Sequence, residues 1–275
     1  MHDDDPANNL EEIARTFGGC AEIVPLKGGQ GEAFRAGSIV IKPADSEAEA
    51  EWLATTFNQL SDTAEIRTPK PVKSLRGHWI ENGYVAWSFV TGETKTGAYL
   101  EKSRVCDAYH RLVCHVARPA FLDARNDAWS IADMKAWDDE ELDYGAEFAA
   151  VYRPLLSSLA DSNLPNQLIH GDFSGNVLFA DGLPPAVIDF SPYWRPAAFA
   201  QAVILIDAAT LDETATSSEL LNVFGSIENI GQLTTRAALR RIFEQFEHSR
   251  LRRIEKAEAM SVAELYCAAY QRLFS

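Results

Sequence analysis

Around Thr91-Gly92-Glu93 the chain changes character. Before that point, short β-type runs at 21–26, 32–35, 38–42, 68–75, 77–80 and 84–90 are joined by turns, and only 9–17 and 47–60 carry helical spacing of apolar residues. Beyond it, apolar residues recur mainly at helical spacing, through 99–116, 145–161, 196–211 and 230–275. Strands segregated from helices imply an α+β fold of two lobes. The expected lobes are 1–92, an antiparallel sheet plus a helix, and 93–275, mainly helical.

The glycines at 28, 29 and 31 lie between two strand-like runs. This excludes the phosphate-binding loops that run from strand into helix. A glycine hairpin can still lie over a nucleotide, because Gly28, Gly29 and Gly31 let backbone N–H groups approach phosphate; an ordinary tight turn explains them equally well. Lys42 ends the apolar run Ile39-Val40-Ile41 and precedes Pro43. Alone it reads as an edge lysine. The following helix, capped by Asp45 or Ser46, has Trp52, Leu53, Phe57 and Leu60 on its apolar face, and of Glu47, Glu49 and Glu51 only Glu49 shares that face. A glutamate on a buried face needs a cation, and Lys42 is the nearest in sequence. Such a pair would hold the lysine against nucleotide phosphates. Backbone groups of Ser88, Phe89 and Val90, at the exit of the last strand, are placed to bind a base.

One stretch of the second lobe departs from helical spacing. Residues 176–180 and 186–188 read as two strands around a turn at 181–185, which sets Asp172, Asn176 and Asp189 at one end of a hairpin. Two carboxylates and a carboxamide are hard oxygen ligands, suited to Mg2+. That set fits phosphoryl transfer, with one carboxylate taking a hydroxyl proton and the other groups holding metal on ATP or GTP. A structural hairpin with acidic turn caps accounts for Asp172 and Asn176, but not for Asp189 closing an apolar run. A two-metal phosphoesterase would need an Asp-x-His and an Asn-His pair, and neither occurs. His110 and His115 have no acidic or cysteine partner at ligand spacing and read as structural or exposed.

A net charge of −15 and a pI near 4.8 argue against nucleic acid or an anionic membrane as partner. The acidic run from Asp138 to Asp143 is either a solvated loop or a site for a cationic substrate. Four scattered cysteines imply neither zinc nor disulfides, and the start lacks a secretory pattern, so a cytoplasmic setting is expected. No obligate protein partner is indicated.

Lys42, Glu49, His170-Gly171-Asp172, Asn176 and Ile188-Asp189-Phe190, in that order, resemble the aminoglycoside phosphotransferase family, which has the protein-kinase-like fold. Gly28-Gly29-Gln30-Gly31, Trp52-Leu53-Ala54 and the 187–196 stretch resemble an actinobacterial branch of it. The resemblance implies a small-molecule kinase with Asp172 as catalytic base, Asn176 and Asp189 on Mg2+, Lys42 on the nucleotide phosphates, Glu49 orienting Lys42, and His170 supporting the loop. Two departures stand out. Only three residues separate Asp172 from Asn176 where the family has four, and the family's bracing aspartate has no match in 196–202, so that Asp207 substitutes or the loop is braced differently. The departures also leave room for a nucleotide-binding pseudokinase with a regulatory or scaffold role.

Overall fold

The computed structural model describes residues 6–20, 22–26, 31–137 and 142–274. They form two compact units, the first running to Glu93 and including Leu178–Ile188, the second holding Thr94–Val177 and Asp189 onward. In the first unit β1 (Val24–Pro25), β2 (Phe34–Ala36), β3 (Ile39–Pro43), β4 (Pro71–Val72), β5 (Ile80–Glu81) and β6 (Tyr84–Ser88) make an antiparallel sheet of order β1-β2-β3-β6-β4, with β5 also on β6. Strand alternation gives the sheet two faces. On one, Ile39, Ile41 and Ala86 form a core with Ala36 and with Ile13, Ala14 and Phe17 at the end of α1 (Pro6–Thr16). On the other, Val40 lies opposite Trp87 and Lys42 opposite Val85. Helix α2 (Glu47–Gln59), capped by Ser46 Oγ accepting from the Glu49 N–H at 3.2 Å, covers this second face through Phe57, whose ring meets that of Trp87 edge-on at 5.9 Å.

Several strands are shorter than their apolar runs suggest. The 68–75 run keeps only Pro71–Val72 paired, because Ser74 Oγ donates to Glu81 Oε1 at 2.7 Å and accepts from the N–H groups of Arg76 and His78, each at 3.2 Å. A polar turn takes over where a strand end was expected.

The second unit contains α3 (Tyr99–Val113), α4 (Ala128–Ala136), α5 (Gly145–Leu156), α6 (Ala197–Leu211), α7 (Ser217–Phe224), α8 (Ile230–Arg250) and α9 (Lys256–Phe274). Every residue of α6 from Phe199 to Ala209 is buried, which explains why that segment lacks a polar face: α3, α7, α8 and α9 all pack on it. Among the described residues no helix is long and apolar enough to cross a membrane. Between α5 and α6 the chain forms β7 (Asn166–His170), β8 (Val177–Ala180), β9 (Leu183–Val187) and β10 (Pro192–Pro196). β7 pairs antiparallel with β10, and β8 with β9. The β7–β10 pair was not expected, since its residues were read only as flanks of the hairpin.

The expected turn at 181–185 is shorter. Asp181-Gly182 alone connects the strands, with Gly182 at φ +72°, and Leu183-Pro184-Pro185 belong to β9. The prolines lack N–H groups, but their carbonyls are used: Pro184 accepts from Arg67 Nε at 2.7 Å and Pro185 from the Arg67 N–H at 2.8 Å. The hairpin is thereby stitched to the first unit. Glu93 and Phe179 add a reciprocal pair of backbone bonds at 2.9 Å each.

Gly92 makes that pairing possible. Its φ is +150°, and a Cβ there would lie 2.9 Å from Leu178 Cβ and 3.1 Å from the Phe179 carbonyl oxygen. Gly92→Ala is expected to lower unfolding free energy by about 1–3 kcal/mol. Thermal and urea unfolding check this, and wild-type stability in the variant would contradict it.

Candidate active site

The turn that leaves β7 is built around a buried histidine. His170 Nδ1 accepts from the N–H groups of Asp172 at 3.2 Å and Ser191 at 3.4 Å. Its own N–H donates to His110 Nε2 at 3.1 Å, while His110 Nδ1 donates to the Cys106 carbonyl at 2.7 Å. The rings of Tyr109, Phe173 and Phe190 surround His170 at centroid distances of 6.2, 5.5 and 5.4 Å. Every nitrogen so placed orders backbone, so His170 supports the turn, and His110 is the structural histidine beneath it. Gly171 is required by crowding. A Cβ at that position would lie 2.2 Å from the Tyr193 ring.

Asp172 follows, its side chain 49% exposed. Asn176 Nδ2 donates to the Asp172 backbone carbonyl at 2.7 Å, and the Asn176 N–H to the Phe173 carbonyl at 3.2 Å. The three-residue spacing therefore closes into a turn that brings the asparagine back onto the aspartate. With its nitrogen committed, Asn176 has its carbonyl oxygen left for ligation. Asp189 lies between β9 and β10 at φ +49°, a left-handed backbone that non-glycine residues seldom adopt, and it is exposed. Strand pairing of Pro192 with His170 sets Asp189 and Asp172 at the same end of the β7–β10 pair.

Two arginines of α8 reach this turn. Arg240, buried, donates from Nη1 to the Gly171 carbonyl at 2.7 Å, lies 4.3 Å from the Tyr193 ring centroid and pairs with Glu244 at 2.9 Å. Arg241 donates from Nη2 to Asp172 Oδ1 at 2.7 Å and Asp207 Oδ2 at 2.6 Å, from Nε to Asp207 Oδ1 at 2.9 Å, and from Nη1 to Glu244 Oε2 at 2.9 Å. Burial pushes the Asp172 carboxyl up, but the charge and hydrogen bond of Arg241 outweigh it and hold the pKa at about 2. Burial pushes Asp207 up, against the opposing Arg241 charge. The bracing aspartate missing from 196–202 is thus replaced indirectly: Asp207 grips Arg241, and Arg241 grips Asp172. The available signal was position, since Ala237-Ala238-Leu239 and Ile242-Phe243 flank the pair with buried apolar residues.

In the first unit Glu49 is buried and Glu47 exposed, as the apolar face of α2 requires. Lys42 is half-buried on the sheet face that α2 covers, and neither it nor Glu49 is without a partner. The N–H of Ser88 donates to the Lys70 carbonyl at 2.7 Å and that of Phe89 to the Ser38 carbonyl at 2.8 Å, so both N–H groups are engaged within the first unit. Gly31 has φ +76° with nothing within 4 Å of a built Cβ; Gly28 and Gly29 lie outside the described residues. So do Asp138 to Glu141 of the acidic run, while Asp143 pairs with Lys135 at 2.6 Å. Asp207 is buried in the arginine network, and in the 193–195 segment Tyr193 is buried under Arg240 and Arg195 pairs with Asp133 at 2.7 Å. Among the described residues no group of three or more His, Cys, Asp and Glu side chains is placed to hold a metal ion.

A family model for the phosphotransferase enzyme family matches residues 35–193, more than half of the chain. The chain belongs to that family. No curated protein matches this phosphotransferase significantly by sequence. Its fold is that of solved small-molecule kinases. Choline kinase LicA from Streptococcus pneumoniae superposes with a TM-score of 0.63 at 10% identity, over 96% of this chain and 98% of that one. AMP-bound spectinomycin phosphotransferase APH(9)-Ia gives 0.61 at 13%, over 98% and 99%. Amicoumacin kinase hAmiN, solved with AMP-PNP, Ca2+ and Ami, gives 0.59 at 13%, over 98% and 94%. The phosphotransferase fold is the expected two-part α+β arrangement, with an antiparallel sheet and helix before residue 93 and helices dominating after it.

Burial lowers the His110 pKa to about 4, below its ordinary 6.5. The folded phosphotransferase therefore binds that proton less readily than the unfolded chain. The resulting stability is complete above pH 6.5 and is lost as pH falls toward 4, on the order of 3 kcal/mol. His110→Gln is expected to be less stable at pH 7 and to lose this part of the pH dependence, as read by urea unfolding from pH 7 to 4. An unchanged slope would contradict it.

Proposed function

We propose that this phosphotransferase moves the γ-phosphate of ATP or GTP to a hydroxyl of a small molecule, with Asp172 as the group that receives the hydroxyl proton. The observation that carries the reading is the Asn176 bond to the Asp172 carbonyl at 2.7 Å, which closes the shortened loop with both side chains presented together. The acceptor oxygen forms a bond to the γ-phosphorus, the bond from phosphorus to the β,γ-bridging oxygen breaks with its electron pair leaving on the diphosphate, and the proton passes to Asp172. A carboxylate with a pKa near 2 is a weak base. Its contribution is chiefly to orient the hydroxyl, which suits a transition state with little bond formation to the nucleophile.

The oxygen donors of Asn176 and Asp189 fit Mg2+, and a bound Mg2+ supplies charge neutralisation on the nucleotide phosphates. Lys42 takes a nucleotide phosphate and Glu49 orients it, on a sheet face where a buried glutamate favours a cation. Gly28, Gly29 and Gly31 are assigned to the nucleotide phosphates, and Val90 supplies the donor for the base. The solved relatives bound to AMP and AMP-PNP support nucleotide use. The acceptor class we favour is a cationic alcohol such as an amino sugar, on the strength of the net charge of −15.

The pseudokinase reading drew on the short loop and the missing brace. The Asn176 bond and the Arg241 contact supply what those departures lacked, which favours turnover. Asp172→Asn is expected to keep nucleotide-induced thermal stabilisation in Mg2+ and to lose ATP or GTP consumption by at least about 100-fold against a panel of hydroxyl acceptors. Full turnover in the variant would remove Asp172 as base. Phosphorylation of only neutral or anionic acceptors by the wild type would overturn the acceptor class.

A further inference from the structure

We propose that Arg241 is a positioning residue for phosphoryl transfer, fixing which oxygen of Asp172 meets the acceptor hydroxyl. The inference rests on the phosphotransfer reaction proposed above. Arg241 Nη2 holds Asp172 Oδ1 at 2.7 Å. A carboxylate with one oxygen in a charge-assisted bond presents the other, and the half-exposed Asp172 side chain leaves Oδ2 to accept the hydroxyl proton. The guanidinium is itself immobile. Its Nε and Nη2 form a fork on the two oxygens of Asp207, Nη1 is on Glu244, and the Arg241 side chain is only 13% exposed. Asp207 is fixed in turn by the Tyr266 hydroxyl of α9 at 3.3 Å. One turn position away, Arg240 fastens the Gly171 carbonyl at 2.7 Å. The backbone before the base and the carboxylate of the base are thus tied to adjacent residues of one buried helix.

This geometry predicts a particular kinetic signature. Misplacing a reacting group by about 1 Å costs rate on the order of 100-fold while substrate binding is spared. Lysine keeps the charge but lacks the planar fork, so it cannot hold Asp207, Glu244 and Asp172 at once. Arg241→Lys is therefore expected to lower kcat by about 100-fold with KM for the nucleotide unchanged. Because Arg241→Ala leaves Asp207 buried without its cation, while Glu244 keeps Arg240, a double variant, R241M with D207N, removes that buried pair together. It is expected to remain folded and to show the same loss of kcat. Guanidinium added to Arg241→Ala is expected to restore part of kcat, and methylammonium to restore none.

The measurements are steady-state consumption of Mg2+-ATP with an acceptor from the panel, nucleotide-induced thermal shift, and the folded fraction by circular dichroism. Wild-type protein without turnover on any acceptor would sink the phosphotransfer reading itself. With wild-type turnover present, a kcat near the wild-type value in Arg241→Lys or in the double variant would overturn the positioning role. Loss of turnover in step with loss of the folded fraction in every variant would make Arg241 a stability residue only, and would also overturn it.

Discussion

The buried arginine pair of α8 is the constraint on which the turn after β7 depends. Arg240 holds the Gly171 carbonyl and Arg241 the Asp172 carboxylate, so two successive residues of the turn are fixed from one helix. Guanidinium groups in such surroundings are costly unless every charge is compensated. Here Asp207 and Glu244 compensate them, both nearly inaccessible to solvent. The cost of burial explains why α8 crosses the unit with acidic partners on α6 and on itself, and why Tyr193 packs its ring beneath Arg240.

The same arrangement shows how a loop one residue short can keep its shape. His170 collects the N–H groups of Asp172 and Ser191, joining the turn to the strand that pairs with β7. Asn176 closes the turn from the other side through the Asp172 carbonyl. Gly171 has no room for a side chain against Tyr193, so the backbone approaches the ring directly. The histidine and glycine contacts lie outside the interval between Asp172 and Asn176, and the asparagine bond closes that interval at its shorter length. Length could change while the endpoints stayed fixed.

Much of this was legible in the sequence where a signal is local. The periodicity of α2 selected Glu49 over Glu47 and Glu51, and burial follows that selection. The apolar run ending at Asp189 located a residue whose backbone proves to be left-handed. Thr91-Gly92-Glu93 marked the place where strands give way to helices, and Gly92 there permits a close approach to β8 that no larger residue allows. What stayed hidden was non-local. The β7–β10 pair joins segments on either side of the hairpin, and the arginine contacts span 69 residues from Asp172 to Arg241 and from Gly171 to Arg240. A charged pair inside a helix reads as a solvated face until its neighbours are known. The two prolines of β9 misled for a related reason, since only their carbonyls were needed.

In the proposed reaction Asp172 receives the acceptor proton on the oxygen that Arg241 leaves open. A crystal structure of the ternary complex with a non-hydrolysable ATP analogue, Mg2+ and an acceptor from the panel tests it directly. Expected are Asp172 Oδ1 on Arg241 and Oδ2 within about 3 Å of the acceptor hydroxyl. An acceptor hydroxyl seated on another residue, or an Asp172 released from Arg241 to reach it, would exclude this arrangement.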